Sequence, residues 1–111
     1  MIKLKRELQD QILKKLQPNK VVVITGARRV GKTFLLKDII SKLEKDFLFL
    51  NGEDINTHLL LKKRSVENYR NVLGRKKILI IDEAQKIPEI GSILKLIVDE
   101  IDGVMVVVTG S

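Results

Sequence analysis

Apolar residues recur every four positions at the start of the chain, at Leu4, Leu8, Ile12 and Leu16 with Leu13 beside them, among charged neighbours. That spacing puts one stripe on a helix of 3.6 residues per turn, and Gln17-Pro18-Asn19-Lys20 closes it. The pattern then changes to a continuous run, Val21-Val22-Val23-Ile24, which predicts a strand covered on both faces. Helical spacing returns at Leu35, Leu36, Ile39, Ile40 and Leu43 and fades at Lys45-Asp46. Phe47-Leu48-Phe49-Leu50 predicts a second strand, closed by Asn51-Gly52, a common turn pair. Residues 53–76 predict one or two helices, around Leu59-Leu60-Leu61 and 65–73, with Gly74 as the stop. A third strand follows at Ile78-Leu79-Ile80-Ile81. Pro88 opens a helix through Ile90, Ile93, Leu94, Ile97, Val98 and Ile101, and residues 104–109 form a fourth strand.

Strands separated by helical segments imply an α/β fold with a parallel sheet and right-handed crossovers. At 111 residues the chain is one domain at most. There is no internal repeat and no low-complexity segment.

Chemistry enters at the end of the first strand. Gly26-Ala27-Arg28-Arg29-Val30-Gly31-Lys32-Thr33 fits the phosphate-binding pattern G-x-x-x-x-G-K-[ST], between a strand and a helix as that loop requires. The glycines let the backbone approach an anion, and the helix N-terminus adds the equivalent of roughly half a positive charge. The loop and Phe34 after it are expected to hold ATP, with Lys32 on the β- and γ-phosphates and Thr33 on Mg²⁺. The third strand ends in Asp82-Glu83, at the carboxyl end where open α/β sheets bind ligands. Asp82 is expected to hold Mg²⁺, directly or through water. Glu83 then polarises the attacking water, a general-base contribution of roughly 10²- to 10⁴-fold in rate. Fifty positions separate Lys32 from Asp82, room for one intervening strand–helix unit. That argues against helicases of the DEAD type, which carry longer insertions there, although Asp82-Glu83-Ala84-Gln85 superficially resembles their motif.

Composition narrows the partners. Without cysteine there is neither a disulfide nor a thiolate metal site, and the single histidine, His58, is expected at the surface and not as a metal ligand. No stretch reaches the length of a membrane span and the start does not resemble a signal peptide, so a cytoplasmic protein is expected. A net charge of +7 invites nucleic acid. The basic groups are dispersed, however, over Lys14-Lys15, Arg28-Arg29, Lys62-Lys63-Arg64 and Arg75-Lys76-Lys77, which weakens that reading.

These motifs resemble an AAA+ ATPase core, and most closely the poorly characterised prokaryotic ATPases that carry a C-terminal domain of unknown function. The resemblance covers nearly the whole chain. It rests on residues 24–33, on Leu50-Asn51-Gly52-Glu53-Asp54, on Ile81-Asp82-Glu83-Ala84-Gln85-Lys86-Ile87-Pro88 and on Thr109-Gly110-Ser111. It implies a P-loop three-layer α/β/α sandwich with sheet order 5-1-4-3-2. In it, a polar residue ending strand four, Thr109 or Ser111, would lie between the phosphate loop and Glu83 as sensor 1. Asn51 matches where some members hold the catalytic glutamate inactive, although the turn reading is favoured. Gln85 is read as a water-positioning or a helix-start residue, and Arg28 and Arg29 as loop-surface charges.

The resemblance also implies a fifth strand, a helical lid and, in many members, an arginine finger from a neighbouring subunit, none of which the pattern contains. The expected organisation is therefore a truncated core over 1–111, with an N-terminal helix at 1–17 and the motif-bearing part at 20–111. Its first strand would be an apolar edge that pairs with another copy, is covered by the N-terminal helix, or aggregates. The expected function is ATP binding and Mg²⁺-dependent hydrolysis that moves attached domains, weak or absent without them. A nucleotide-gated switch or scaffold with little turnover, or a DNA-processing ATPase, are the alternatives. Expected partners are nucleotide, the protein's own C-terminal region and further copies of the chain.

Overall fold

The strand-like and helix-like stretches fold where their spacing puts them. In the computed structural model the described residues are 2–25, 32–43 and 45–110. Residues 26–31 of the phosphate loop and Ser111 therefore lie outside them. In chain order the elements are α1 (Ile2–Lys15), β1 (Lys20–Thr25), α2 (Lys32–Ser41), β2 (Phe47–Asn51), α3 (Ile55–Lys62) and α4 (Val66–Leu73). Then follow β3 (Ile78–Asp82), one 3-10 turn (Ala84–Lys86), α5 (Ile90–Glu100) and β4 (Met105–Gly110).

The four strands are all parallel, in the order β1-β4-β3-β2. The α/β class and the strand order agree with the expectation. Successive side chains on a strand point to opposite faces, and each face builds its own core. Ile78, Ile80, Met105, Val107, Val22 and Ile24 pack with Ile12 of α1 and Leu35, Leu36, Ile39 and Ile40 of α2. Leu79, Ile81, Val106 and Val108 pack with Leu61, Tyr69, Leu73, Ile93 and Ile97 of α3, α4 and α5. Ile78 to Ile81 are at most 1% exposed, which is why that run shows no alternation in the sequence.

The ambiguous stretch 53–76 is two helices. Asp54 caps α3, accepting from the Asn56 amide at 2.8 Å, and Ser65 caps α4, accepting from the Asn68 amide at 3.1 Å. Gly74, at φ 60°, ends α4. Tyr69 is buried, so its phenol is pushed above its usual pKa range despite Arg64 nearby, and its hydroxyl donates to the Leu61 carbonyl at 2.9 Å. One boundary and one apolar position differ from expectation. Helix α5 starts at Ile90, after Glu89 in a left-handed conformation, and not at Pro88. Leu13 is half exposed, outside the stripe that buries Ile12, because a turn of 100° per residue carries it off the contact face.

Among the described residues β1 pairs on one side only, with β4. Helix α1 lies over the face that carries Val22 and Ile24, while Val23 on the opposite face is 59% exposed.

Entry into β1 is fastened by Asn19, whose role the sequence did not disclose. Its φ is 60°, a conformation asparagine tolerates better than most residues. Its side-chain amide donates to the carbonyls of Val98 and Ile101 at 2.7 and 2.8 Å and accepts from the Gly103 amide at 3.0 Å. Its own backbone N–H donates to Val104. Asn19→Ala removes those side-chain bonds and strains φ. It should lower unfolding free energy by about 2 kcal/mol in urea titration, whereas Asn19→Gly, which keeps the backbone, should lose less.

Candidate functional site

The alternation along β3 and β4 also assembles the polar groups. Asp82 continues the parity of Ile78 and Ile80, and Thr109 that of Met105 and Val107. Both therefore face α2, whose second residue is Thr33. The Thr33 hydroxyl donates to Asp82 Oδ2 at 2.7 Å, and the Thr109 hydroxyl donates to Asp82 Oδ1 in a short bond. Thr109 in turn accepts from the Glu83 amide at 3.1 Å, and is only 2% exposed. One carboxylate thus joins the start of α2 to the ends of β3 and β4. Of the two residues expected at the polar end of strand four, Thr109 is the one among the described residues. Ser111 lies outside the described residues.

Glu83 leaves the strand in a left-handed conformation, φ 53° and ψ 46°, and is 7% exposed. A non-glycine residue there is strained by roughly 1–3 kcal/mol and persists only where its surroundings fix it. Here the Glu83 amide is held by Thr109 and its carbonyl accepts from the Lys86 amide at 3.1 Å. The Gln85 side-chain amide donates to Glu83 Oε1 at 3.4 Å. The same side chain lies against Gly110, where an added methyl would stand 2.9 Å from Gln85 Oε1. Gln85 sits within the 3-10 turn, which separates it from the start of α5.

Asn51 is the last residue of β2, in register with Asp82. Its side-chain oxygen accepts from the Glu53 amide at 3.0 Å, the local bond of an Asx turn. Gly52 is buried beyond it, donating its N–H to the Asp82 carbonyl at 2.7 Å. His58 is half-buried, with Nε2 donating to the Gly52 carbonyl at 2.6 Å. The Asn-Gly pair looked in the sequence like a simple turn, so this packing against the carboxylate segment was missed. An extended run ending in glycine opposite an Asp-Glu pair was the available signal.

Lys32 is the first residue of α2, whose N-terminus follows the phosphate loop, and Phe34 two residues on is 74% exposed. Thr33 and Asp82 offer hard oxygen donors side by side, which suits Mg²⁺. That ion is usually held by one or two protein groups together with substrate phosphates and water. No cluster of three or more His, Asp or Glu fit to hold a metal without a substrate occurs among the described residues. No helix among them is long and apolar enough to cross a membrane.

A parallel sheet in this order, with a hydroxyl–carboxylate pair between strand end and helix start, is consistent with a P-loop NTPase-like domain. The model of the AAA domain matches residues 18–111, and the chain belongs to that family. The chain is similar to an uncharacterised protein of Methanocaldococcus jannaschii, 37% identical in an alignment of 107 residues, with 87% of this chain and 22% of that protein covered. It thus spans about a fifth of the length of that relative. No solved structure matches it significantly. Membership in an ATPase family implies nucleotide and, as a rule, Mg²⁺ as ligands.

Proposed function

We propose that the chain binds ATP with Mg²⁺ and hydrolyses it, so that nucleotide state sets the position of whatever is attached to it. The observation that carries this reading is the chain of bonds from Thr33 through Asp82 and Thr109 to the Glu83 amide. It ties the nucleotide-binding helix start to the residue best placed to act on water.

In this reading Lys32 pairs with the β- and γ-phosphates, as the sequence motif at 26–33 assigns it. Thr33 and Asp82 hold Mg²⁺, which would supply Lewis-acid stabilisation of the phosphate charge. Glu83 accepts the proton of the attacking water on a carboxylate oxygen as the water's oxygen bonds to the γ-phosphorus and the bond to the β-phosphate oxygen breaks. Thr109 fixes the direction in which Glu83 leaves the strand. The Gln85 amide on Glu83 Oε1 favours a second reading, a nucleotide-gated switch. That amide occupies a carboxylate oxygen the attacking water would need, so turnover would wait until Gln85 is withdrawn.

Single-turnover hydrolysis of ATP separates the two, since the switch gives binding with almost no product. Lys32→Ala should weaken ATP at least roughly tenfold, a loss of about 1.4 kcal/mol, by calorimetric titration. Equal affinity in variant and parent would remove Lys32 from the phosphates.

A further inference from the structure

A second concave surface lies behind Glu83, on the side of the sheet covered by α3 and α5. It is a cavity of about 270 Å³ whose floor is Leu61, Ile87 and Ile93. That is below the roughly 300–1,000 Å³ of pockets for whole small ligands, and suits one or two apolar side chains. Its α3 wall continues outward as an apolar stripe. Ile55 and Leu59, one turn apart, are 66% and 61% exposed. Such a stripe beside a groove is the form of a peptide-docking surface.

Charge chooses the occupant. Lys62 and Arg64 line the groove with Lys63 between them in sequence, and Glu89 is the one carboxylate on the opposite wall. Arg64 and Glu89 stand 3.5 Å apart and are well exposed, so they form a rim pair and not a closed lock. The surface is thus positive around an aliphatic floor. Nucleic acid would also answer the charge, but the floor of the groove is aliphatic, Leu61, Ile87 and Ile93, and offers bases no aromatic platform to stack on.

The groove is also connected to the candidate catalytic carboxylate along two short routes. Ile87, in its floor, donates its amide to Ala84 of the turn that begins at Glu83, and Pro88 lines the wall after it. His58, on the other wall, holds the Gly52 carbonyl, and Gly52 packs directly on the Glu83 main chain. A side chain seated on the floor therefore lies against Ile87 of the segment that leaves Glu83 and beside His58, whose partner Gly52 packs on Glu83.

We propose that this groove docks an acidic polypeptide segment through an apolar anchor, and that occupancy is transmitted to Glu83 through the 84–88 turn and the His58–Gly52 contact. The test uses the full chain, isotope-labelled for NMR. The probe is a hexapeptide with a leucine–phenylalanine pair flanked by two acidic residues on each side. It should saturate with methyl shifts at Leu61, Ile87 and Ile93 and amide shifts at Gly52 and Glu83, while Val22 on the far face stays still. Alanine in place of the apolar pair should weaken binding about tenfold or more. Lysines in place of the acids should abolish it. Leu59→Ser and Lys62→Glu alter exposed or rim positions, so they should weaken binding without unfolding the protein. Absence of saturation would overturn the proposal, as would equal binding of the lysine peptide. A single-stranded oligonucleotide that gives the same shifts and competes in a manner indifferent to Leu59→Ser would replace the polypeptide with nucleic acid. Floor shifts with no change at Gly52 and Glu83 would overturn the transmission.

Discussion

Glu83→Gln is expected to leave MgATP affinity near the parental value while slowing single-turnover hydrolysis by roughly 10²-fold or more. Glutamine keeps the length and shape of the side chain and can still accept from Gln85 through its oxygen. The backbone bonds that place residue 83, from its N–H to Thr109 and to its carbonyl from Lys86, do not involve the carboxylate. What is lost is the capacity to take up a proton. Asp82→Asn makes the useful contrast. Asp82 accepts from both Thr33 and Thr109, so an amide there turns one acceptor into a donor facing a hydroxyl and weakens any hold on Mg²⁺. That variant should need more Mg²⁺ for the same nucleotide affinity, whereas Glu83→Gln should not. Quench-flow product formation together with Mg²⁺ titration reads both. Parental turnover in the Glu83→Gln chain, in the face of measurable parental activity, would end the general-base assignment.

The sequence displayed much of the fold because the apolar pattern and the topology agree. Ile78-Leu79-Ile80-Ile81 reads as a doubly covered strand, and both of its faces are indeed packed. The period of two also carries the site: Asp82 and Thr109 share a parity with residues that face α2, so their meeting with Thr33 follows once β4 lies beside β3. Other features were not legible because they depend on long-range proximity. Asn19 looked like a helix stop, yet it reaches carbonyls about eighty positions away, which no local pattern encodes. The groove beside α3 is equally silent in one dimension. Leu59-Leu60-Leu61 shows three equivalent residues, and only the packing of α3 decides that Leu61 is buried while Leu59 and Leu60 face outward. Glu83 adopts a left-handed backbone that its identity argues against. Such departures from local preference gather where function constrains the chain.

Gly52→Ala is expected to be the most damaging small substitution. A methyl at position 52 would overlap the Glu83 carbonyl oxygen, with its carbonyl carbon at 2.8 Å and the Asp82 carbonyl oxygen at 3.0 Å. These are main-chain atoms, so no side chain can swing aside to make room. Gly52 itself is fixed from both directions, by its N–H on Asp82 and by His58 on its carbonyl. Either β2 must part from β3 at its end or Glu83 must shift, and both outcomes disturb the candidate site. Overpacking a filled core usually costs 1–3 kcal/mol, and a backbone collision belongs at or above the upper end, about 3 kcal/mol. Gly91→Ala makes the same chemical change within α5, where an added methyl meets nothing within 4 Å. That substitution should stabilise the chain by about 0.5–1 kcal/mol, as expected for replacing glycine in a helix. Urea unfolding of the two variants should therefore move in opposite directions, and nucleotide turnover should fall only in Gly52→Ala. If both alanines shifted the midpoint alike, the close approach of β2 to the Asp82-Glu83 segment would not exist in solution, and the path from the α3 groove to Glu83 would lose one of its two links.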